Sequence, residues 1–312
     1  MIFADYPFPK QSTAQALALG FFDGVHLGHQ ALLRELKEKA ELAGLEAAVF
    51  TFADHPKRAQ DVNGFPGLLQ RQRERLEMLE EYGEKVYVAP VKREVLDLNP
   101  EAFIKEILVE KLDTKLIICG SDFRFGKNAE GNVETLRKYS QVFDYDFQPV
   151  ADYRVGGELV SSTAIRQLLK QGEVERAAEL LGRPFTYSGI VTSGQRLGRR
   201  LGFPTINLSL SESLLTAALG VYASRVRIAS KTYPGISNLG YHPTVGRGAW
   251  PRLETYIYDF SANLYGVELE IDLLSFIRPE QKFPSLDEMQ LAVQQDLAKV
   301  KDWHAANPLP LC

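Results

Sequence analysis

The sequence has almost no cysteine and no long apolar run. Only Cys119 and Cys312 occur among its 312 residues, too few for a disulfide framework and in keeping with a reducing compartment. No apolar stretch is long enough to cross a bilayer. The first eleven residues, MIFADYPFPKQ, have neither the basic start nor the apolar centre of a secretory signal. We therefore expect a cytoplasmic protein with no role at a membrane.

The sequence also lacks an excess of positive charge. It has 36 basic and 40 acidic residues, which gives a net charge of −4. An acidic balance disfavours a nucleic-acid binder that depends on a broad basic surface. The chain is longer than one hydrophobic core usually serves, so we expect two domains.

The first half of the chain alternates short apolar runs with longer helical stretches. Strands buried on both faces are predicted at 45–52, 85–91 and 115–119, and helices at 29–43, 70–82 and 100–112. Alternation of this kind is typical of a parallel sheet covered by helices.

The pattern changes near Gly182-Arg183-Pro184. From Phe185 to Ile277, β-branched and aromatic runs are punctuated by glycine, proline and asparagine, which is typical of a small barrel or sandwich. A last helix is predicted after Ser285, which forms a capping box with Glu288. The sequence thus predicts a first domain over residues 1–184 and a second over residues 185–312.

The most informative stretch of the first domain is GFFDGVHLGHQ, residues 20–30, at the expected junction of a strand and a helix. A helix N-terminus offers free backbone N–H groups and a partial positive charge to a phosphate. Gly24 and Gly28 let the backbone approach a ligand closely. His26 and His29 lie three residues apart, so both can reach the same side of the first turn. We expect a phosphate site here, although paired surface histidines or metal ligands have the same spacing.

In the second domain, residues 194–207 read GQRLGRRLGFPTIN and contain three glycines and three arginines. Glycines allow close approach of a ligand to the backbone, and arginines favour phosphate. From composition alone, a flexible hairpin with solvated arginines explains this loop equally well.

Together these motifs resemble a known family. Residues 20–30 are similar to the HxGH motif of the nucleotidylyltransferase superfamily. Over the longer string they resemble the signature of the prokaryotic bifunctional riboflavin kinase/FMN adenylyltransferase, often called FAD synthetase. The resemblance continues through TFADHP (51–56), CGSDFRFG (119–126), VSSTAIR (160–166), GRP (182–184) and GFPTIN (202–207). It covers nearly the whole chain in order, which makes it more specific than any single motif.

The resemblance implies an α/β nucleotidylyltransferase-type parallel-sheet domain followed by a flavokinase-type β-barrel with a C-terminal helix. It implies two reactions that use ATP: phosphorylation of riboflavin to FMN, and adenylylation of FMN to FAD with release of pyrophosphate. The implied metal is Mg²⁺. Riboflavin, FMN and ATP are the implied partners, with neither nucleic acid nor membrane among them.

In the first domain, the resemblance implies that the SST-x-IR segment faces residues 20–30 across the ATP phosphates. A plain helix cap would also explain Ser161-Ser162-Thr163, and Asp122 would serve equally as a turn residue. The implied catalytic residues are His26, His29 and Arg166. The implied ATP-binding residues are Gly20, Phe22, Asp23, Gly24, Gly28, Asp122, Ser161, Ser162 and Thr163, and the implied flavin-binding residues are Phe52, Phe123 and Phe125.

In the second domain, the flavokinase motif GFPTxN implies that Thr205 and Asn207 bind Mg²⁺ and ATP. Glu254 matches the family's catalytic glutamate, which would accept the proton of the ribityl hydroxyl, although an isolated glutamate is usually an exposed strand residue. Gly198, Gly202 and Pro204 complete the implied ATP site, and Arg278 and Phe283 border the implied flavin site. Core packing alone would also explain Phe283.

Three positions of the second domain depart from the family pattern. Ile206 stands where the family usually has alanine, and Ser193 and Leu197 replace what are commonly histidine and arginine. A β-branched residue is bulkier and can shift the metal loop. We expect these changes to alter rate or affinity rather than to abolish activity.

Other functions are compatible with the same motifs. One is a monofunctional FMN adenylyltransferase whose second domain only binds flavin. Another is a non-catalytic regulator that binds flavin or nucleotide. A metal-dependent hydrolase built on His26 and His29 is disfavoured, since no acidic cluster accompanies them in the sequence.

Overall fold

The computed structural model describes residues 2–59, 64–193, 202–241 and 251–308. The chain divides into two compact units, Met1–Ser162 and Thr163–Cys312. The segment from Thr163 to Pro184 is therefore grouped with the second unit by its contacts. A functional boundary at residue 184 stays a prediction.

The first unit is built on a six-stranded parallel sheet. Its strands are β1 (Ile2–Asp5), β2 (Gln15–Leu19), β3 (Glu46–Phe52), β4 (Lys85–Ala89), β5 (Thr114–Gly120) and β6 (Asp146–Val150). The order across the sheet is β1-β4-β3-β2-β5-β6, and every neighbouring pair is parallel. The three strands predicted in this half of the chain are confirmed as β3, β4 and β5.

Helices cover both faces of this sheet. They are α1 (Leu27–Ala43), α2 (Pro56–Ala59), α3 (Gln72–Leu79), α4 (Arg93–Leu96), α5 (Pro100–Ala102), a π-helix that continues α5 (Phe103–Val109), a 3₁₀ turn (Lys127–Ala129) and α6 (Val133–Phe143). Ala16 and Ala18 of β2 share a core with α1, whereas Leu17 and Leu19 share one with the π-helix. This alternation is expected of a strand with both faces buried.

The strand order reverses next to β2. The chain leaves β2 for β3 on one side, and β5 is added on the other side. In open α/β sheets the crevice outside the carboxyl ends of such strands is the usual ligand site. Residues 20–30 follow β2 and residues 121–126 follow β5, so two of the sequence motifs lie at this edge. A short hairpin of β7 (Arg154–Val155) and β8 (Glu158–Leu159) comes after β6.

The second unit is a closed antiparallel barrel with helices before and after it. The helices are α7 (Ser162–Gln171), α8 (Val174–Leu181) and α9 (Leu286–Ala306). The strands are β9 (Phe185–Thr192), β10 (Thr205–Ser209), β11 (Gly220–Ile228), β12 (Lys231–Tyr241), β13 (Pro251–Ile257) and β14 (Glu268–Pro279). They close in the order β10-β13-β12-β11-β14-β9. The predicted barrel with a C-terminal helix is confirmed.

Helix α9 packs on the barrel through apolar side chains. Val300 is fully buried together with Ala223 and Tyr258, and Leu297 and Trp303 pack against them. The Ser285 side chain accepts a hydrogen bond from the Glu288 N–H at 3.2 Å, which caps the helix as predicted. Within the described ranges, no helix is both long and apolar enough to span a bilayer.

We expect substitution of Gly220, the first residue of β11, to destabilise the barrel. Gly220 pairs with Pro279 of β14, and an added Cβ would overlap the carbonyl oxygen of Arg278 and lie 2.7 Å from the Phe276 ring. Gly220→Ala should lower the free energy of unfolding by about 3 kcal/mol, since one strand must move away from its neighbour. Urea titration measures this loss.

Gly266→Ala is the matched control. Gly266 has a φ of 78°, and nothing lies within 4 Å of an added Cβ, so only left-handed strain of about 1 kcal/mol is expected. Equal losses in the two variants would contradict the close approach of β11 and β14.

Candidate active sites

The turn between β2 and α1 is shaped by unusual backbone angles. Phe22, Gly24 and Val25 have φ values of 59°, 83° and 36°, all in the left-handed region that costs energy for residues other than glycine. Phe22 is buried, and a side chain at Gly20 would lie 2.7 Å from its ring. Gly20 and Phe22 therefore set the path of the turn by packing.

His26 and His29 form one stack at the start of α1. His26 is the N-cap residue, and its Nδ1 accepts a hydrogen bond from the His29 N–H at 3.3 Å. The two rings are 3.6 Å apart between centroids and within 15° of parallel. An added Cβ at Gly28 would lie 3.3 Å from the His26 ring. The pair predicted at the first turn is thus brought together.

The electrostatics keep His29 uncharged. Its pKa lies well below the ordinary value of 6.5, first because the ring is buried and then because His26 and Arg75 add positive charge nearby. Its Nδ1 atom is buried and has no hydrogen-bond partner among the described residues. A neutral imidazole at this place offers a donor or an acceptor without the cost of burying a charge.

Asp23 ties the turn to two other segments. Its carboxylate accepts hydrogen bonds from the Leu69 N–H at 3.0 and 3.2 Å. Its carbonyl oxygen accepts one from Ser162 Oγ at 2.9 Å. Asp23 is only 3% exposed. This carboxylate therefore organises backbone next to the turn, and Ser162 of the SST segment lies beside it.

The remaining residues of the SST-x-IR segment lie at the start of α7. Ser162 is the first residue of that helix. Thr163 is exposed, whereas Arg166 is buried and 9% exposed. Thr163 and Arg166 belong to the second compact unit.

The loop after β5 carries the predicted Asp122 and two aromatic residues. Asp122 is exposed, and an added Cβ at Gly120 would lie 3.2 Å from its Oδ1. Phe123 and Phe125 are stacked at 5.7 Å between centroids. Phe125 is buried in the core, and Phe123 and Phe52 pack against that core from partly exposed positions. The three predicted flavin-contacting rings thus lie on one side of the sheet.

Arg75 is a buried residue in contact with the turn that the sequence analysis missed. It lies on α3 and is 2% exposed, with Nη1 2.5 Å from the Phe21 carbonyl oxygen at the turn. The sequence could have indicated a buried arginine here, because Arg75 precedes the buried Leu79 by four residues and so falls on the apolar face of its helix.

In the barrel, strand register places the predicted kinase residues in two rows. Asn207 of β10 is opposite Glu254 of β13, which is opposite Asn238 of β12. In the same way Thr205 is opposite Tyr256, and Tyr256 is opposite Ile236. Residues directly opposite in antiparallel strands have side chains on the same face. The predicted Thr205, Asn207 and Glu254 are therefore brought to one face.

A cavity of about 300 Å³ borders these rows. Thr205, Asn238, Glu254 and Tyr256 line it from the barrel, and Met289, Val293 and Leu297 line it from α9. The predicted Arg278 and Phe283 also line it. Pockets of this kind, apolar with a few convergent polar groups, are typical ligand sites.

A second cavity of about 500 Å³ lies beside Thr205 and Pro204. Ile206, the departure from the family pattern, lines this second cavity together with Phe260 and Leu264. Thr205 borders both cavities. Gly202 adopts a φ of 85° with open space around it, whereas the predicted Gly198 and the substituted Leu197 lie outside the described residues.

Arg278 is held by an ion pair. Its guanidinium donates to Asp296 through Nε at 2.9 and 3.0 Å and through Nη2 at 2.7 Å. Asp296 belongs to α9 and is 3% exposed. The Arg278 guanidinium also lies 5.7 Å from the Phe283 ring centroid. Arg278 therefore fixes α9 as a wall of the first cavity.

The oxygen donors of the barrel fit a hard divalent cation. Asn207 is 5% exposed, and its Oδ1 is buried with no hydrogen-bond partner in the described part of the chain. Such an orphaned oxygen is costly unless a cation or a donor meets it. Thr205 and Glu254 supply further oxygens from the same face, and oxygen ligands are those that Mg²⁺ prefers. The described residues contain no group of three or more His, Cys, Asp and Glu that could hold a metal ion by themselves.

Comparison with known proteins decides the family. A family model described as FAD synthetase matches residues 8–164, and one described as riboflavin kinase matches residues 181–304. The bifunctional riboflavin kinase/FMN adenylyltransferase of Haemophilus influenzae is 36% identical over 92% of this chain and 93% of its own length. This chain belongs to the bifunctional riboflavin kinase/FMN adenylyltransferase family. A relative of the same name from Escherichia coli K12 is 38% identical over 90% of each chain.

The fold is shared with a solved structure. A crystal structure from Streptococcus pneumoniae, described as a macrolide-efflux protein, superposes with a TM-score of 0.86 at 29% identity. It covers 97% of this chain and 100% of its own. The likeness supports the architecture of the family, a parallel sheet followed by a barrel, and the efflux description belongs to the other protein alone.

We expect His29 to stay neutral when the pH falls through 6.5. Its folded-state pKa is lowered by burial, by His26 and by Arg75, whereas in the unfolded chain it returns to the ordinary value. The unfolded state therefore binds a proton first, and His29 lowers the free energy of unfolding as the pH drops below 6.5. Nuclear magnetic resonance titration of the imidazole signals measures the folded pKa. His29→Gln assigns the signal, and a midpoint at or above 6.5 would contradict the burial of the ring.

Proposed function

We propose that this protein phosphorylates riboflavin to FMN at the barrel and adenylylates FMN to FAD at the turn after β2, with ATP as co-substrate in both reactions. The observation that carries the proposal is the presence of two separate phosphate-chemistry sites within one family member. One is the His26–His29 stack at a helix N-terminus. The other is the row of Asn207, Glu254 and Asn238 across three barrel strands.

In adenylyl transfer, a phosphate oxygen of FMN bonds to the α-phosphorus of ATP as the bond to pyrophosphate breaks. No protein nucleophile is needed, so alignment and charge stabilisation supply the catalysis. His26 Nδ1 accepts the His29 N–H, so whenever His26 is neutral its proton is on Nε2, which we propose donates to a phosphate oxygen. Backbone N–H groups at the start of α1 would add further donors.

The other residues of the first site divide by role. We propose that Gly24 and Gly28 admit the phosphates to the backbone, while Gly20, Phe22 and Asp23 shape the turn. The Ser162 hydroxyl donates to Asp23 and so positions the SST segment. Further proposed contacts to ATP are Asp122, Ser161, Thr163 and Arg166, and the proposed flavin contacts are Phe52, Phe123 and Phe125.

In the kinase reaction, the ribityl 5′-oxygen bonds to the γ-phosphorus of ATP as the bond to ADP breaks. We propose that Glu254 accepts the hydroxyl proton. Thr205 and Asn207 would hold Mg²⁺, which when bound would neutralise negative charge on the ATP phosphates. Thr205 borders both cavities, so we assign flavin to the cavity that Arg278 and Phe283 line and ATP to the one that Pro204 lines. Gly198 and Gly202 belong to the proposed ATP site.

The reducing cytoplasm is the proposed compartment, since Cys119 is a buried free thiol.

The two activities should be separable by mutation. His26→Asn keeps a helix cap but loses the Nε2 donor, so we expect FAD formation from FMN to fall about 100-fold with FMN formation unchanged. Glu254→Gln should lower FMN formation about 100-fold or more, since the base is lost, and leave FAD formation from supplied FMN unchanged. Chromatography of flavins after incubation with riboflavin, ATP and Mg²⁺, with and without FMN, measures both.

Each rival function has its own outcome in this assay. Wild-type protein that makes FAD only when FMN is supplied would support the monofunctional adenylyltransferase. Binding of flavin without any product would support the regulator. Loss of both activities in either variant would argue against two sites.

We expect Asn207→Ala to raise the Mg²⁺ concentration needed for half-maximal kinase activity by about 10-fold, because one oxygen ligand is lost. FAD formation from FMN should keep its own Mg²⁺ dependence. Ser209→Ala, on the same strand and exposed, is the control. An unchanged Mg²⁺ requirement in Asn207→Ala would exclude Asn207 as a ligand.

A further inference from the structure

A buried arginine lies beneath the proposed adenylyl-transfer site. Arg75 Nη1 donates to the Phe21 carbonyl oxygen at 2.5 Å and to Thr51 Oγ1 at 2.6 Å. Its Nη2 donates to the Phe52 carbonyl oxygen at 2.6 Å. Thr51 Oγ1 in turn donates to the same Phe21 oxygen at 3.1 Å. These four groups form one closed network.

The network joins the carboxyl ends of two neighbouring strands. Phe21 is the second residue after β2, and Phe52 is the last residue of β3. The guanidinium also lies 4.1 Å from the centroid of the Phe21 ring, a cation–π contact. The planar guanidinium of an arginine can donate to several acceptors in fixed directions at once, which the ammonium group of a lysine cannot. Arg75 therefore fixes where the chain leaves β2 and enters the turn.

Arg75 also keeps a positive charge in this place. Burial lowers its pKa to about 10, against the opposing effect of Asp23 and Asp54, so it stays charged at pH 7. The acceptors at 2.5 to 2.6 Å are uncharged oxygens. An apolar side chain of similar volume would avoid the cost of burying a cation. This positive charge acts on the start of α1, where it lowers the pKa of His29, and a positive potential favours anions nearby.

We propose that Arg75 is a positioning residue for adenylyl transfer, which clamps the turn after β2 to the end of β3 and so holds the His26–His29 stack against the ATP phosphates. The inference rests on the proposed function, and it assigns a new residue to that site. Phe21 starts the turn, and Phe22 packs edge-on to the His29 ring at 5.3 Å. Movement of Phe21 would therefore be passed through Phe22 to the stack.

The test compares three variants of the full chain. Arg75→Met removes the fork and the charge, and Arg75→Lys keeps the charge alone. Arg73→Met is the matched control, since Arg73 lies on the same helix but is exposed and paired with Glu77. We expect kcat/KM for ATP in FAD formation to fall about 100-fold in Arg75→Met, as misplacement of a site by about 1 Å does. Arg75→Lys should be intermediate, and Arg73→Met and the kinase activity should be unchanged.

A pH profile separates positioning from mere loss of fold. His26 and Arg75 are the positive neighbours that lower the pKa of His29. Removal of the Arg75 charge should therefore move the acidic limb of kcat/KM to higher pH in Arg75→Met and leave it in place in Arg75→Lys. Thermal unfolding checks that each variant is folded. If Arg75→Met does not fold, the comparison of Arg75→Lys with Arg73→Met tests the proposal.

The outcomes distinguish the inference from the proposed function. Wild-type protein that forms no FAD would overturn the proposed function itself. Active wild-type protein with Arg75→Lys and Arg75→Met equal to Arg73→Met would overturn the role of Arg75 alone. A lower kcat/KM for ATP in Arg75→Lys with an unshifted pH profile would support the proposal, because lysine keeps the charge but loses the geometry of the guanidinium.

Discussion

The candidate site of the first unit depends on the turn between β2 and the start of α1. This turn opens at the sheet edge because β2 lies where the strand order reverses. Three residues of that turn adopt left-handed angles, and such strain persists only where surrounding contacts fix the backbone. Leu69, in the segment before α3, donates to the Asp23 carboxylate of the turn, and Arg75 of α3 donates to the Phe21 carbonyl oxygen. The strained turn and its buried polar supports are therefore one structural unit.

The barrel reaches the same kind of chemistry by other means. Antiparallel register puts Asn207, Glu254 and Asn238 side by side on three strands, with no helix N-terminus among them. Ile206 lies between Thr205 and Asn207, so its side chain leaves the opposite face of β10. It lines the second cavity, which Thr205 also borders, so its extra bulk relative to alanine is directed toward the cavity proposed for ATP.

Sequence patterns predicted the elements whose signal is local. Periodicity found β3, β4, β5 and the helices between them, and the cap at Ser285 followed from two residues three apart. The pairing of His26 with His29 has the same local origin. Contacts between distant segments were not predictable in this way. Asp23 meets Leu69, 46 residues later in the chain, and Arg278 meets Asp296 across the gap between strand and helix. The spacing of residues in the sequence does not indicate such long-range partners. A polar residue on the apolar face of a helix, such as Arg75, is the sign of them that a sequence can show.

The two sites differ in where their positive charge comes from. At the turn, the protein itself supplies it through the N-terminus of α1 and the buried Arg75. The polar groups that β10, β12 and β13 present to the first cavity are instead neutral or acidic, and the orphaned Asn207 oxygen belongs to the residue paired with Glu254. A triphosphate beside a carboxylate is repelled unless a cation lies between them. With the roles proposed above, the base for the hydroxyl proton and the need for a metal would both follow from the Glu254 carboxylate, and Asn207 is the residue directly opposite it.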